Sequence, residues 1–433
     1  MAALTEPPKS LNDVIAIIKD PDNLDIPQGI VNDLVLRLLF QEGRVSLARF
    51  AEVIRLHAQL IDRLLETMQR EHMIEIARAG NLGRISYVWA LTDAGTVRAR
   101  EAFERSLYVG PAPVPIEKYN QAILLQTAGR LNVTSDQLKR ALSALVLPDN
   151  FDRRIGPAIN EGSSLFLYGP PGNGKTTIAQ VMGELVAGTD PIWLPHAVEE
   201  GGHVIVLNDE LAHVPYNGIS KDQIVAQWGD VDPRWGLFRR PAVMVGGELT
   251  MEALDLRFDE TARFYEAPLQ MKANGGMFLI DDFGRQMVSP SALLNRWIVP
   301  LELEIDFLRL RTGQTLQVPF KQLIVFSTNL DPSDLVDGAF LRRIQLKVGV
   351  EGPDEKMFLQ IFQAVCRQMG IAFDKESFLY LLQEWYRKPA RVMQAVHPRD
   401  LLRVIKALCE YTGEPVRLTP KLIDEACNAY FIR

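Results

Sequence analysis

The run Gly169-Pro170-Pro171-Gly172-Asn173-Gly174-Lys175-Thr176 fits the pattern G-x-x-x-x-G-K-[ST]. Strand-like Leu165, Phe166, Leu167 and Tyr168 precede it, and a predicted helix opens at Thr177. Glycines let such a loop bend round phosphate groups so that successive backbone N–H groups point inward, and the following helix N-terminus adds positive potential. Lys175 would neutralise the outer phosphates of a nucleoside triphosphate, and the Thr176 hydroxyl would ligate Mg²⁺. A Gly/Pro turn with an incidental lysine is the plain alternative. Strand, loop and helix falling in register weigh against it.

Downstream, Gly275-Gly276-Met277-Phe278-Leu279-Ile280-Asp281-Asp282 is a short apolar run ending in two carboxylates. Opposite a phosphate loop, Asp281 would hold the metal through water and Asp282 would polarise an attacking water. Read alone, such a pair is as often a turn. A third apolar run, from Gln322, ends in Ser327-Thr328-Asn329. There a neutral amide can hydrogen-bond a terminal phosphate or the water without adding negative charge, which makes Asn329 the candidate sensor. Arg342 and Arg343, after Ala339-Phe340-Leu341, stand at a predicted helix end. Either could reach a neighbouring subunit's nucleotide, or merely complement the helix dipole. Arg399, in His397-Pro398-Arg399-Asp400-Leu401-Leu402, opens a later predicted helix and could touch the γ-phosphate from that side, or lie on the surface.

These residues need a scaffold, and 433 residues imply more than one core. Apolar runs alternating with helices between about 118 and 352 predict an α/β unit built on a parallel sheet. From 353 onward helical stripes take over, among them Met357, Phe358, Ile361, Phe362 and Val365, so 353–433 is expected to be a helical lid. Residues 27–107 read as helix, helix-turn-helix, two strands about a glycine turn, and helix, which is the winged-helix order. Ser46 and Thr92 are expected to open helices there. Residues 1–26 form a leader, and the prolines of 108–117 suggest a linker.

Hydrophobic residues at 47% and charged residues at 23% exclude a disordered or fibrous chain. A net charge of −7 argues against a globally basic nucleic-acid binder. Between residues 28 and 108, eleven Arg and no Lys face ten Asp plus Glu, so the winged helix favours a protein contact over duplex DNA. The three cysteines form no metal or disulfide pattern, and no run suggests a membrane span or signal segment, so a cytoplasmic location is expected. The aromatics Trp193, Tyr216, Trp228, Trp235, Phe238, Phe264 and Tyr265 could line a pore on a projecting segment or pack an auxiliary β-insertion. Arg239, Arg240, Arg309 and Arg311 could contact phosphates or be ordinary surface charges.

Taken in chain order, the glycine–lysine loop, Leu279-Ile280-Asp281-Asp282, Ser327-Thr328-Asn329, Phe340-Leu341-Arg342-Arg343 and His397–Leu402 resemble the AAA+ ATPase superfamily over roughly residues 118 to 433. The resemblance implies a P-loop module with a helical lid, ATP and Mg²⁺ as ligands, and ATP hydrolysis in a ring, expected to be a hexamer. By it, residues Gly169 to Thr177 bind nucleotide and Asp281 and Asp282 match the Walker B pair. Asn329 matches the first sensor, Arg342 or Arg343 the arginine finger, and Arg399 the second sensor. Most members carry Asp-Glu where this chain has Asp281-Asp282. Lys272-Ala273-Asn274-Gly275-Gly276 and a predicted hairpin over 306–318 look like the MoxR and magnesium-chelatase branch, and the whole is similar to bacterial AAA-family ATPases with an N-terminal winged helix. The expected activity is chaperone-like remodelling of a protein partner. The alternatives are a DNA- or RNA-dependent motor using the winged helix and hairpin, and a weakly hydrolysing ATP-gated switch.

Overall fold

The computed structural model describes residues 10–432 apart from 82, 130, 163 and 332–340, so the start of the leader and Ala339-Phe340 lie outside the described residues. Five strands, β1 (Ser164–Tyr168), β2 (Ala242–Val245), β3 (Met277–Ile280), β4 (Leu323–Thr328) and β5 (Leu346–Gly349), make an all-parallel sheet in the order β2-β3-β4-β1-β5. The three central strands are apolar without alternation because helices cover both faces. On one face Leu165, Leu167, Leu279 and Val325 meet Ile178 and Met182 of helix α1 (Lys175–Ala187) and Ile155 and Ile159 of the helix Phe151–Glu161. On the other, Phe166, Phe278 and Phe326 meet Leu293, Leu294 and Trp297 of the helix Pro290–Leu303.

Register then fixes the site. Ile280 pairs with Phe326 and Phe326 with Phe166, so β3, β4 and β1 end level at one sheet edge. The glycine loop, Asp281 and Asn329 all leave from that edge, which is where ligands bind in open α/β sheets. β2 and β5 were not anticipated: the short Ala242–Val245 run, exposed at alternate residues, gives little periodic signal.

Past β5, Asp354 caps α2 (Glu355–Met369), its carboxylate accepting from the Met357 N–H at 2.7 Å. Helices Lys375–Leu381, α3 (His397–Thr412) and Pro420–Tyr430 complete a separate core around Phe358, Phe362, Phe378, Leu402 and Ile405. At the other end, helices Gln28–Glu42, Leu47–Ile54, Ala58–Arg70 and Asp93–Arg105 surround a three-stranded antiparallel sheet, with Ser46 and Thr92 capping as the sequence suggests.

Between these lies a second five-stranded sheet, of mixed direction, which corrects several expectations. The supposed linker is not a free tether. Tyr108, Ala112 and Val114 are buried, and Val114–Pro115 forms an edge strand parallel to Val198–Glu199. An edge tolerates proline because one N–H row has no partner to lose, and burial of the apolar neighbours outweighs the sequence signal. The described part of the leader is packed too. Val14 and Ile15 are buried, and Asp25 pairs with Arg234, which is fully buried against Asp232 and the Pro113 carbonyl.

The pore-lining reading of the aromatics also fails. Trp193, Trp235, Phe238 and Tyr265 are buried, and Tyr216, Trp228 and Phe264 pack against neighbouring cores, so they stabilise the insertion as the alternative held. Arg240 is buried with its guanidinium on the carbonyls of Asp190, Gly275 and Gln126, while Arg239 donates to the Ala187 carbonyl. Arg240 is thus spent on backbone, while Arg239 remains exposed. The hairpin exists, as Ile305–Arg309 paired with Thr315–Pro319. Its Arg311 is held over the Phe258 ring at 4.8 Å and pairs with Glu260, while Arg309 is exposed.

Candidate nucleotide site

Where Thr92, Ser289, Asp354 and Thr419 cap other helices with a side-chain oxygen, Gly174 precedes α1 and offers no side chain. The first N–H groups of α1 therefore lack an internal acceptor and face the loop, which is the geometry that attracts an anion. Gly169, Gly172 and Gly174 take φ of +137°, +77° and +85°. That left-handed path wraps the loop back over the helix start, and glycine supplies it without a Cβ penalty. Lys175 is 6% exposed, and its ammonium donates to the carbonyls of Gly169 and Pro170 at 2.8 and 2.9 Å. Burial lowers its pKa from the ordinary value, opposed by the nearby charges of Asp281 and Asp282. A cation whose hydrogen-bond partners are neutral carbonyls keeps its charge available to a polyanion.

The Thr176 hydroxyl donates to the Asp281 carboxylate, 2.8 Å from the nearer oxygen. Two hard oxygen ligands from different elements thus lie side by side, the donor set Mg²⁺ accepts when substrate phosphates and water complete its shell. Among the described residues no group of three or more His, Cys, Asp or Glu could hold a metal ion. Asp282, with φ of +49°, turns away from Asp281, and its carboxylate accepts from Asn329 Nδ2 at 2.9 Å. The structure therefore joins the two residues that the sequence placed at separate strand ends.

Two further residues hold this edge and were not singled out from sequence. Phe283 donates its N–H to the Ser327 carbonyl at 2.7 Å and accepts from the Thr328 hydroxyl at 2.7 Å, locking the acidic turn to β4. Gln286 clamps the same turn through the Asp281 carbonyl and the Gly284 N–H. Thr328 stood inside a motif already noted, but Gln286 gave no signal.

A cavity of about 420 Å³ runs over the loop, lined by Asn173 to Thr177, Asp282 and Asn329 at its polar end. Leu145 and Leu147 on one side and Ile361 and Val365 of α2 on the other make an apolar end. Arg399, in the first turn of α3, lines it from the C-terminal unit. The arginine pair lies apart from these lining residues. Arg342 is exposed and Arg343 donates to Glu302 at 2.6 Å.

Comparison with known proteins adds three findings. A family model described as a domain of unknown function, DUF8689, matches residues 354–429, the C-terminal helical unit. A 56-residue stretch is 38% identical to the vesicle-fusing ATPase of Dictyostelium discoideum, covering 13% of this chain and 7% of that protein. Among solved structures, the RuvB Holliday junction branch migration motor of Thermotoga maritima is 12% identical over 74% of this chain and 73% of its own, with a TM-score of 0.35. A mutant of the same RuvB gives 10% identity over 69% and 70%, with a TM-score of 0.36. Among the described residues no helix is long and apolar enough to cross a membrane.

Proposed function

We propose that the chain is an ATPase of the AAA+ type that binds Mg·ATP across the sheet edge and hydrolyses it. One observation carries the reading: Lys175, Thr176, Asp282 and Asn329, from three strand ends spread over more than 150 residues, converge on a single cavity, with Asp281 bound to the Thr176 hydroxyl beside it. Backbone N–H groups from Gly172 to Thr177 and the Lys175 ammonium would hold the phosphates, while Leu145, Leu147, Ile361 and Val365 enclose the apolar base. The metal would add positive charge where the phosphates gain negative charge. Asp282 is placed to take up hydrogen bonding from an attacking water, with Asn329 orienting that carboxylate. The 56-residue match to a protein named an ATPase supports the same class.

The assembly is a ring, with Arg342 acting across the interface because Arg343 is tied to Glu302. The N-terminal unit is a winged helix that presents a protein partner to be remodelled. Support for protein over DNA comes from its paired arginines, Arg63 with Asp20, Arg70 with Glu66 and Arg84 with Asp62, which leave little net charge to neutralise phosphates.

The reading is tested by calorimetry with Mg·ATP on the full chain and on Lys175→Ala. Micromolar uptake by the first and none by the second is expected. Equal uptake by both would overturn it. Arg342→Ala should bind nucleotide yet lose turnover, and retained turnover would remove the ring argument.

A further inference from the structure

We infer that Asn173 is a positioning residue: by holding the backbone of Ala395 it sets the start of α3 and so aims Arg399 into the cavity. The inference rests on the ATP-site reading and goes beyond it by naming the contact that ties the C-terminal helical unit to the phosphate loop. Asn173 is 5% exposed, and its Oδ1 accepts from the Ala395 N–H at 3.1 Å while its Nδ2 donates to the Pro170 carbonyl at 3.4 Å. The two bonds together fix which way the amide faces. Beside it, the Val396 N–H donates to the Gly172 carbonyl at 2.9 Å.

The approach is close enough to dictate residue type on both sides. A Cβ at Gly172 would lie 2.8 Å from Val396 Cγ1, and one at Gly352, between β5 and α2, would lie 2.7 Å from the Met393 carbonyl oxygen. The strap 393–396 is therefore pinched between the phosphate loop and the passage into the C-terminal unit. No side chain caps α3: its preceding residue, Val396, has no polar side-chain atom. The phosphate loop supplies the anchor that a local cap would otherwise give.

Arg399 follows Val396 by three residues, within the first turn, where the helix transmits any displacement of its start directly. Its side chain is about half exposed, and among the described residues its Nε meets the Asp400 carboxylate at 3.3 Å, so the backbone's placement of the helix start largely sets its aim. Tyr430 in turn holds Asp400 at 3.0 Å. A phosphate group drawn into the loop would act on Asn173 and hence on the aim of Arg399 without any contact between the two side chains.

Asn173→Ala and Ala395→Pro remove the same hydrogen bond from opposite sides in the full chain. Each is expected to lower ATP turnover roughly fivefold, the scale of one hydrogen bond, while the Mg·ATP dissociation constant shifts less. The double variant should be no slower than the slower single, and Arg399→Ala should cost less in the Asn173→Ala background than in the parent. Asn173→Thr, which keeps an acceptor oxygen, should recover part of the loss. Multiplying effects in both pairs, unchanged turnover in the singles, or Thr equal to Ala would each overturn the inference. A parent chain that takes up no Mg·ATP would instead refute the ATP-site reading.

Discussion

The candidate nucleotide cleft and the N-terminal unit both hold charged residues, and they use them in opposite ways. In the cleft, polar groups leave three strand ends and converge on one cavity, with Lys175 resting on neutral carbonyls. In the N-terminal unit, Arg49 meets Glu42 and Glu52, Arg98 meets Glu101, and Arg105 meets Asp33, mostly at the surface. Convergence, rather than abundance, marks where chemistry is done. Water screens the surface pairs, whereas burial makes the converging groups act on whatever enters.

The contrast can be broken first at its strongest point. Asp282→Asn should reduce ATP turnover by roughly 10²-fold or more while leaving uptake measurable by calorimetry, the scale of a lost acid–base group. A small change would place the water-activating group elsewhere. Next comes a buried charge outside the cleft. Arg234→Met leaves Asp232 without its cation and Asp25 with Lys118 alone, and should lower stability by about 3–5 kcal/mol in urea unfolding. Little change would mean that burial alone does not separate the two regions.

A third test uses pH. His397, 6% exposed with Tyr386 Oη 3.0 Å from its Nδ1, has its pKa pushed down to about 4 by burial, reinforced by Arg391. The unfolded chain takes up that proton near pH 6.5 and the folded one does not. Stability is therefore intact above about 6.5 and falls by up to roughly 3 kcal/mol as pH drops toward 4. His397→Phe should flatten that part of the curve, and an unchanged slope would show that another group is responsible. Smallest of all, Arg70→Ala, which breaks an exposed pair with Glu66, should shift stability by no more than about 0.5 kcal/mol.

Legibility in the sequence followed the same division. Strands β1, β3 and β4 were readable because burial on both faces leaves continuous apolar runs, and their ends delivered Lys175, Asp281 and Asn329 together. β2, with alternate residues exposed, was missed at the edge of the parallel sheet, and the edge strand Val114–Pro115 of the mixed sheet carried no such pattern either. Prolines at 111, 113 and 115 suggested a tether because sequence shows the missing N–H groups but not the sheet edge on which they do no harm. Gln286 and the residues that hold the strap before α3 bind to backbone atoms of their partners, which every residue type possesses. Only close-approach glycines hint at such contacts.

The left-handed backbone at Asp282 also bears on why the acid there is short. Asp and Asn are the ordinary non-glycine occupants of positive φ, because a compact polar side chain can hydrogen-bond nearby and offset the crowding. Main-chain geometry thus favours the shorter acid there without requiring it, since Glu304 also takes a positive φ, of +56°. The amide replacement inherits the same tolerance, so Asp282→Asn should leave the turn in place.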